Sequence, residues 1–216
     1  MTTRERLLKT KEFLLIMTYY LGGYYIIAEL TRFRHVHTLA LSFEKDIPLY
    51  PAFIFAYLMN FGLLAFAYVF VEDLEYFRRM VKSFFISTTI HYVIFLIYPV
   101  QYTLRPDVDP NQGWAYFLVY FYYFIDPPYN CFPSMHVSNC WLVAFLIHRY
   151  HKKVGYLMYV IAFFVAVSVV LVKQHYIADA VAGCLVAWVS YVWEFREKPF
   201  SIPKPLVSRV ISSSEN

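Results

Sequence analysis

Apolar and polar positions do not alternate along this chain; apolar residues come in long, nearly unbroken runs. Six runs approach the roughly 17–25 residues a transmembrane helix needs: about Phe13–Glu29, Pro51–Val71, Phe84–Val100, Val137–Arg149, Gly155–Val172 and Ile177–Phe195. The first and fourth are short. Membrane-crossing strands would show a period of two, and its absence favours helices over a barrel. The first run follows a basic segment, but it is long, rich in Tyr and lacks a clear small-residue cleavage site, so it reads as a helix rather than a signal peptide. The expectation is an all-α integral membrane protein: a bundle of six transmembrane helices forming one domain over residues 1–200. Residues 201–216, with Pro203, Pro205 and a Ser-rich end, read as a flexible tail. Between helices three and four lies an aromatic stretch, Trp114 to Phe124, too short to span. It suits either an interfacial segment, where Tyr and Trp rings are favoured, or a core-packed hairpin.

Composition agrees with the pattern. Apolar residues make up 60% and charged residues 16%, against about 45–50% and about 25% in soluble domains. The placement of charge then orients the bundle. Of the 19 Lys and Arg residues, Arg32, Arg34, Lys45, Arg105 and Lys173 fall on one side. The rest cluster on the other, around Arg4–Lys11, Arg78–Lys82, Arg149–Lys153 and beyond Arg196. Basic residues favour the cytoplasm, so both termini are expected there, as an even helix number requires. The net charge of +4 reflects this bias; no basic helix or aromatic–basic patch suggests a nucleic acid partner. Cys131, Cys140 and Cys184 provide neither a disulfide framework nor a metal-type Cys-x-x-Cys.

Two short segments carry candidate chemistry. Phe132-Pro133-Ser134-Met135-His136 opens the fourth helix, and Lys173-Gln174-His175-Tyr176-Ile177-Ala178-Asp179 opens the sixth. The chain between the two histidines is long enough to cross the membrane and return, so both belong to the non-cytoplasmic face, together with Arg105. His175 and Asp179 are four residues apart and share a helix face. A carboxylate there fixes the imidazole tautomer and makes the other ring nitrogen a nucleophile. His136 sits at a helix start that suits an anion, assisted by Ser134, and a second imidazole can protonate a leaving alkoxide. Arg105 can fork two phosphate oxygens, and Lys173 adds a compact charge. This is equipment for breaking or transferring a phosphate ester, on a lipid given the setting.

These residues resemble the membrane branch of the type-2 phosphatidic acid phosphatase superfamily, which comprises lipid phosphate phosphatases and related phosphotransferases. The family pattern runs Lys-x6-Arg-Pro, Pro-Ser-Gly-His, then Ser-Arg-x5-His-x3-Asp. Arg105-Pro106 matches the end of the first part. Pro133-Ser134-Met135-His136 matches the second apart from Met for Gly, and Ser168, His175 and Asp179 match the third at the right spacing. The resemblance covers helices three to six, a catalytic core at about residues 84–195. It implies that His175 forms a phosphohistidine oriented by Asp179, that His136 is the general acid, and that Arg105 and backbone near Ser134 bind phosphoryl oxygens. It implies no metal and no cofactor. Tyr98 and Val169 stand where the pattern has Lys and Arg, and Lys173 is expected to take over the missing charge. The Lys-Gln-His-Tyr-x-x-Asp ending is closer to the inositolphosphorylceramide-synthase-like branch, which transfers phospholipid headgroups. A phosphomonoester carries about −1.5 to −2 charge and a diester a single one, so fewer cations tilt the expectation towards a diester donor and group transfer. The competing classes are a non-catalytic lipid-binding protein of the same fold and, ranked lowest, a transporter, for which deep charges or broken helices are expected.

Overall fold

The computed structural model describes residues 1–196; the expected tail over 201–216, and the basic residues Lys198, Lys204 and Arg209, lie outside the described residues. Polar caps set the helix starts. At the head of α1 (Thr3–Thr31) the Thr2 hydroxyl accepts from the Glu5 N–H at 3.2 Å, and the Glu5 carboxylate accepts from the Thr2 N–H at 2.7 Å, a reciprocal capping box. Asp73 accepts from the Tyr76 N–H at 2.6 Å to open α3 (Leu74–Ile97). These caps explain where hydropathy and structure part company. Both helices begin ten residues before their apolar runs, at Thr3 rather than Phe13 and at Leu74 rather than Phe84, because a capped polar turn continues the same hydrogen-bond ladder. α3 stops ahead of Pro99, which disfavours helical backbone in the residue before it. A 3₁₀ turn at Pro51–Phe53 leads into α2 (Ile54–Phe70). The aromatic stretch is a helix, α4 (Trp114–Ile125), followed by α5 (Met135–Tyr150), α6 (Lys152–Leu171) and α7 (Ile177–Phe195).

The described residues thus form seven α-helices and no strand, only an isolated bridge between His37 and Val100. The all-α expectation holds. Five helices (α1, α2 with its 3₁₀ turn, α3, α6 and α7) are long and apolar enough to cross a membrane, which makes this a multi-pass membrane protein in contact with lipid. The aromatic stretch proves helical rather than a hairpin: Val119 is its buried residue, while Trp114 and Phe124 are largely exposed at its ends.

α5, at 16 residues and therefore about 24 Å, is shorter than the other bundle helices, and its surroundings account for this. It is the hub, packed on α2, α3, α6 and α7, with most of its residues from Met135 to Ile147 buried. Polar contacts fasten it. The Ser87 and Ser138 hydroxyls meet at 3.0 Å, the Tyr76 hydroxyl donates to the Leu146 carbonyl at 2.6 Å, and the Cys140 thiol donates to Asn60 Oδ1 at 3.5 Å. In lipid, such interhelical bonds and close backbone approach replace the hydrophobic drive that water supplies. α5 and α7 approach closely at Gly183, where an added Cβ would lie 2.5 Å from the Ser134 carbonyl oxygen. Gly183→Ala is therefore expected to push the His136-bearing end of α5 away from α7. The stability loss should be about 1–3 kcal/mol, read as a lower thermal midpoint in detergent, with reduced turnover.

At one end of the bundle three connections interlock. His37 and Gln101 donate backbone N–H groups to Pro99 and His37 carbonyls at 2.9 Å each, the Cys131 N–H donates to the Val100 carbonyl at 3.2 Å, and the Tyr50 N–H donates to the Leu171 carbonyl at 3.0 Å. The segments following α1, α3 and α6 therefore share one end of the molecule, and the two candidate motifs lie there.

Candidate active site

α6 ends in a Schellman motif: the Lys173 N–H reaches the Val170 carbonyl at 3.1 Å and the Gln174 N–H reaches the Val169 carbonyl at 2.9 Å. The residue in the left-handed position of that motif is usually Gly; here it is Lys173, at φ 57°. The turn sends the chain back within a few residues, and His175, whose N–H also bonds the Val169 carbonyl at 3.0 Å, ends up inside the bundle rather than outside it. At the head of α7, Asp179 Oδ2 accepts from the Tyr176 N–H at 2.9 Å and faces His175 Nδ1 at 3.3 Å. The opposite wall comes from α5. The Ser134 hydroxyl caps it by accepting from the Val137 N–H at 3.4 Å, and the Ser134 N–H donates to the Asp179 carbonyl at 3.0 Å. The two motifs are thus stitched together through backbone.

The histidines meet between these helix starts, His136 Nδ1 lying 3.3 Å from His175 Nε2. The proton positions follow from the neighbours. His175 Nδ1 faces two acceptors, the Cys131 carbonyl at 2.9 Å and Asp179 Oδ2, so it carries the hydrogen. Nε2 therefore presents its lone pair, the state a nucleophile needs. Both rings line a cavity of about 190 Å³, walled by Tyr24, Tyr57, Phe61 and Tyr122 among others and reaching Asp126.

The remaining expected residues are placed around this pair. Arg105 lies behind it: one terminal nitrogen donates to the Asp126 carbonyl at 2.9 Å and to Gln174 Oε1, and the guanidinium stacks over the Tyr123 ring at 4.5 Å. Its Nε, and the Gln174 Nε2 whose orientation the Arg105 contact fixes, are buried donors without a partner among the described residues. Lys173 is turned elsewhere. Its ammonium donates to the Glu44 carbonyl at 3.1 Å, and burial holds it below its ordinary range, with the nearby Glu44 charge acting in the opposite sense. Tyr98, at the position of the pattern's lysine, stacks on His37 with ring centroids 4.2 Å apart. Cys131 is a buried free thiol whose ionisation burial strongly opposes. No cluster of ligands suited to a metal occurs among the described residues.

Three groups escape sequence reasoning. Tyr57 Oη stands 2.9 Å from His136 Nε2, and the Tyr57 and Tyr24 hydroxyls donate to the two Asp126 oxygens at 3.0 and 2.6 Å. Asp126 itself lies 3.7 Å from His136 Nε2. A carboxylate ending an aromatic run ten residues before His136 is the available signal for Asp126. Tyr57 has none, being one of 21 tyrosines. The third is Glu44, buried and bonded through its side chain to the Leu41 and Ile177 N–H groups at 2.6 Å each.

A stretch of 70 residues is 39% identical to the bacitracin transport permease protein BcrC of Bacillus licheniformis, covering 32% of this chain and 34% of that protein. The similarity thus spans about a third of that relative's length. No solved structure matches the chain. The sequence model of the PAP2 superfamily matches residues 79–201, more than half of the length and all of the helix starts that carry the paired histidines, and the chain belongs to that superfamily.

Proposed function

We propose that this protein is a membrane enzyme that cleaves or transfers a phosphate ester of a lipid through a phosphohistidine on His175. The observation that carries the reading is the placement of His175, its Nδ1 against Asp179 and the Cys131 carbonyl and its Nε2 3.3 Å from His136 Nδ1 at the wall of a cavity. In the first half-reaction Nε2 attacks phosphorus, the ester P–O bond breaks, and His136 gives a proton to the departing oxygen. In the second, the hydroxyl of water or of an alcohol attacks phosphorus, its proton returns to His136, and the N–P bond breaks. Asp179 offsets the positive charge on the phosphorylated ring. Arg105 and the Ser134 hydroxyl, with backbone near it, serve as the phosphoryl-binding groups. Lys173 is the remaining cation of the site region; its tie to Glu44 makes the turn that carries His175 its nearest point of influence.

We place the site on the non-cytoplasmic face of a six-span bundle, with α5 as the short span, α4 lying along the interface and both termini in the cytoplasm. The asymmetry of basic residues supports this orientation. Residues 1–200 then form one membrane domain with its catalytic core at about 84–195.

Transfer is favoured over hydrolysis by one feature. The pattern's Lys and Arg are Tyr98 and Val169 here, and a carboxylate, Asp126, stands at the cavity instead. A singly charged phosphodiester suits that balance better than a doubly charged monoester. The test is purified protein with phosphatidic acid, lysophosphatidic acid and phosphatidylinositol, with and without a ceramide or diacylglycerol acceptor. Headgroup transfer from the diester, dependent on the acceptor, is expected. Phosphate release from the monoesters alone would establish a hydrolase, and inactivity on every donor would overturn the enzymatic reading.

A further inference from the structure

Resting on the reading of His136 as the proton donor, we infer that Asp126, acting through Tyr57, is a positioning residue that holds the second proton of His136, making it an acid on one nitrogen by occupying the other. The hydrogen-bond pattern supplies the argument. Asp126 accepts two phenolic hydrogens, from Tyr24 on Oδ1 at 2.6 Å and from Tyr57 on Oδ2 at 3.0 Å. A carboxylate is the stronger acceptor available to Tyr57, so the single Tyr57 hydrogen goes there. The phenolic oxygen then turns its lone pairs to His136 Nε2, 2.9 Å away, which must bear a hydrogen. On the other side of the ring, Nδ1 faces the His175 Nε2 lone pair and must bear one as well. The buried ring is thus complete in its contacts only as an imidazolium, with Asp126 3.7 Å away as its counter-charge.

The assignment divides the labour between the two nitrogens. Nδ1–H faces the nucleophile and is the proton given to the departing oxygen. After it has left, the ring is neutral, Nε2 keeps its hydrogen on Tyr57, and Nδ1 holds the lone pair that takes the proton of the attacking hydroxyl. The site is then a pair of matched dyads. Asp179 fixes the hydrogen of His175 on Nδ1 so that Nε2 is free to bond phosphorus, and Asp126 with Tyr57 fixes the hydrogen of His136 on Nε2 so that Nδ1 is free to exchange protons.

The experiment is a leaving-group comparison. Purified wild type, Asp126→Asn and Tyr57→Phe are assayed on p-nitrophenyl and octyl esters of both phosphate and octyl phosphate. p-Nitrophenolate departs without a proton, whereas an alkoxide needs one. In the first half-reaction, read as the pre-steady-state rate of phosphoenzyme formation, Asp126→Asn is expected to lose on the order of 10²-fold or more on the alkyl esters and less than about 10-fold on the nitrophenyl esters, with Tyr57→Phe showing the same split at smaller size. A trapped phosphoenzyme from the nitrophenyl esters in both variants shows that the fold and the His175 nucleophile survive. An equal loss on both leaving groups, a loss of the phosphoenzyme as well, or full activity on alkyl esters overturns the inference while leaving the enzymatic reading intact. A wild type inactive on every ester overturns both.

Discussion

His175→Ala is expected to eliminate turnover, by on the order of 10⁶-fold, the scale on which removal of a nucleophile from an assembled site acts. No other imidazole is placed to substitute. His136 has its Nε2 committed to Tyr57 and lacks a carboxylate of its own across a helix turn. His91 is spent on a bond from Nδ1 to the Ser87 carbonyl at 2.7 Å within its own helix. The variant should remain monodisperse, since the side chain contributes little packing beyond its two acceptors, and acid-labile phosphate should no longer be trapped on the protein. Undiminished turnover in a folded His175→Ala protein would remove the phosphohistidine from the mechanism.

Asp179→Asn is expected to cost about 10²- to 10⁴-fold while preserving the fold. The reason lies in what the amide retains. Its oxygen can still accept from the Tyr176 N–H, so the start of α7 stays capped. The Cys131 carbonyl, 2.9 Å from His175 Nδ1, still holds the hydrogen on that nitrogen. What is lost is the negative charge beside a ring that becomes positive when Nε2 bonds phosphorus, and in a buried site that charge is poorly replaced. Rapid-quench measurement of phosphoenzyme formation, with a thermal midpoint as control, separates the two contributions. A loss under about 10-fold would mean that the carboxylate's charge contributes little to stabilising the phosphorylated ring.

Much of this was legible because the informative residues are rare in their surroundings. A histidine, a second histidine and an aspartate four residues on, each at the head of an apolar run, stand out against lipid-facing sequence, and topology alone brings them to one end. The apolar runs likewise locate α2, α5, α6 and α7 to within a few residues. α1 and α3 were read too short because hydropathy registers burial in lipid, whereas helix formation at Arg4–Glu12 or Glu75–Ser83 depends on caps and propensity. The Tyr57–Asp126 arm was illegible for a different reason. Tyrosine is so frequent here that no single one carries a signal, and Asp126-Pro127-Pro128 reads first as a turn. Lys173 presents the same limit. Its sequence position beside His175 is plain, but after the left-handed turn the acceptor that takes its ammonium, the Glu44 carbonyl, belongs to a loop more than a hundred residues away.

That loop bears on how the protein is made. Glu44 lies in the connection between α1 and α2, yet its side chain accepts from the first N–H of α7, 133 residues on, and its carbonyl receives Lys173, 129 residues on. During synthesis this connection emerges early and waits, its carboxylate bonded locally to the Leu41 N–H but without its Ile177 partner, until α6 and α7 have been inserted. Such long closures come late in assembly, after the local hairpins have formed. The pocket around His175 is therefore among the last parts of the molecule to take shape. Chains halted after α5 should embed in the bilayer without a working centre, because His175, Asp179 and the partner of Glu44 are all still missing.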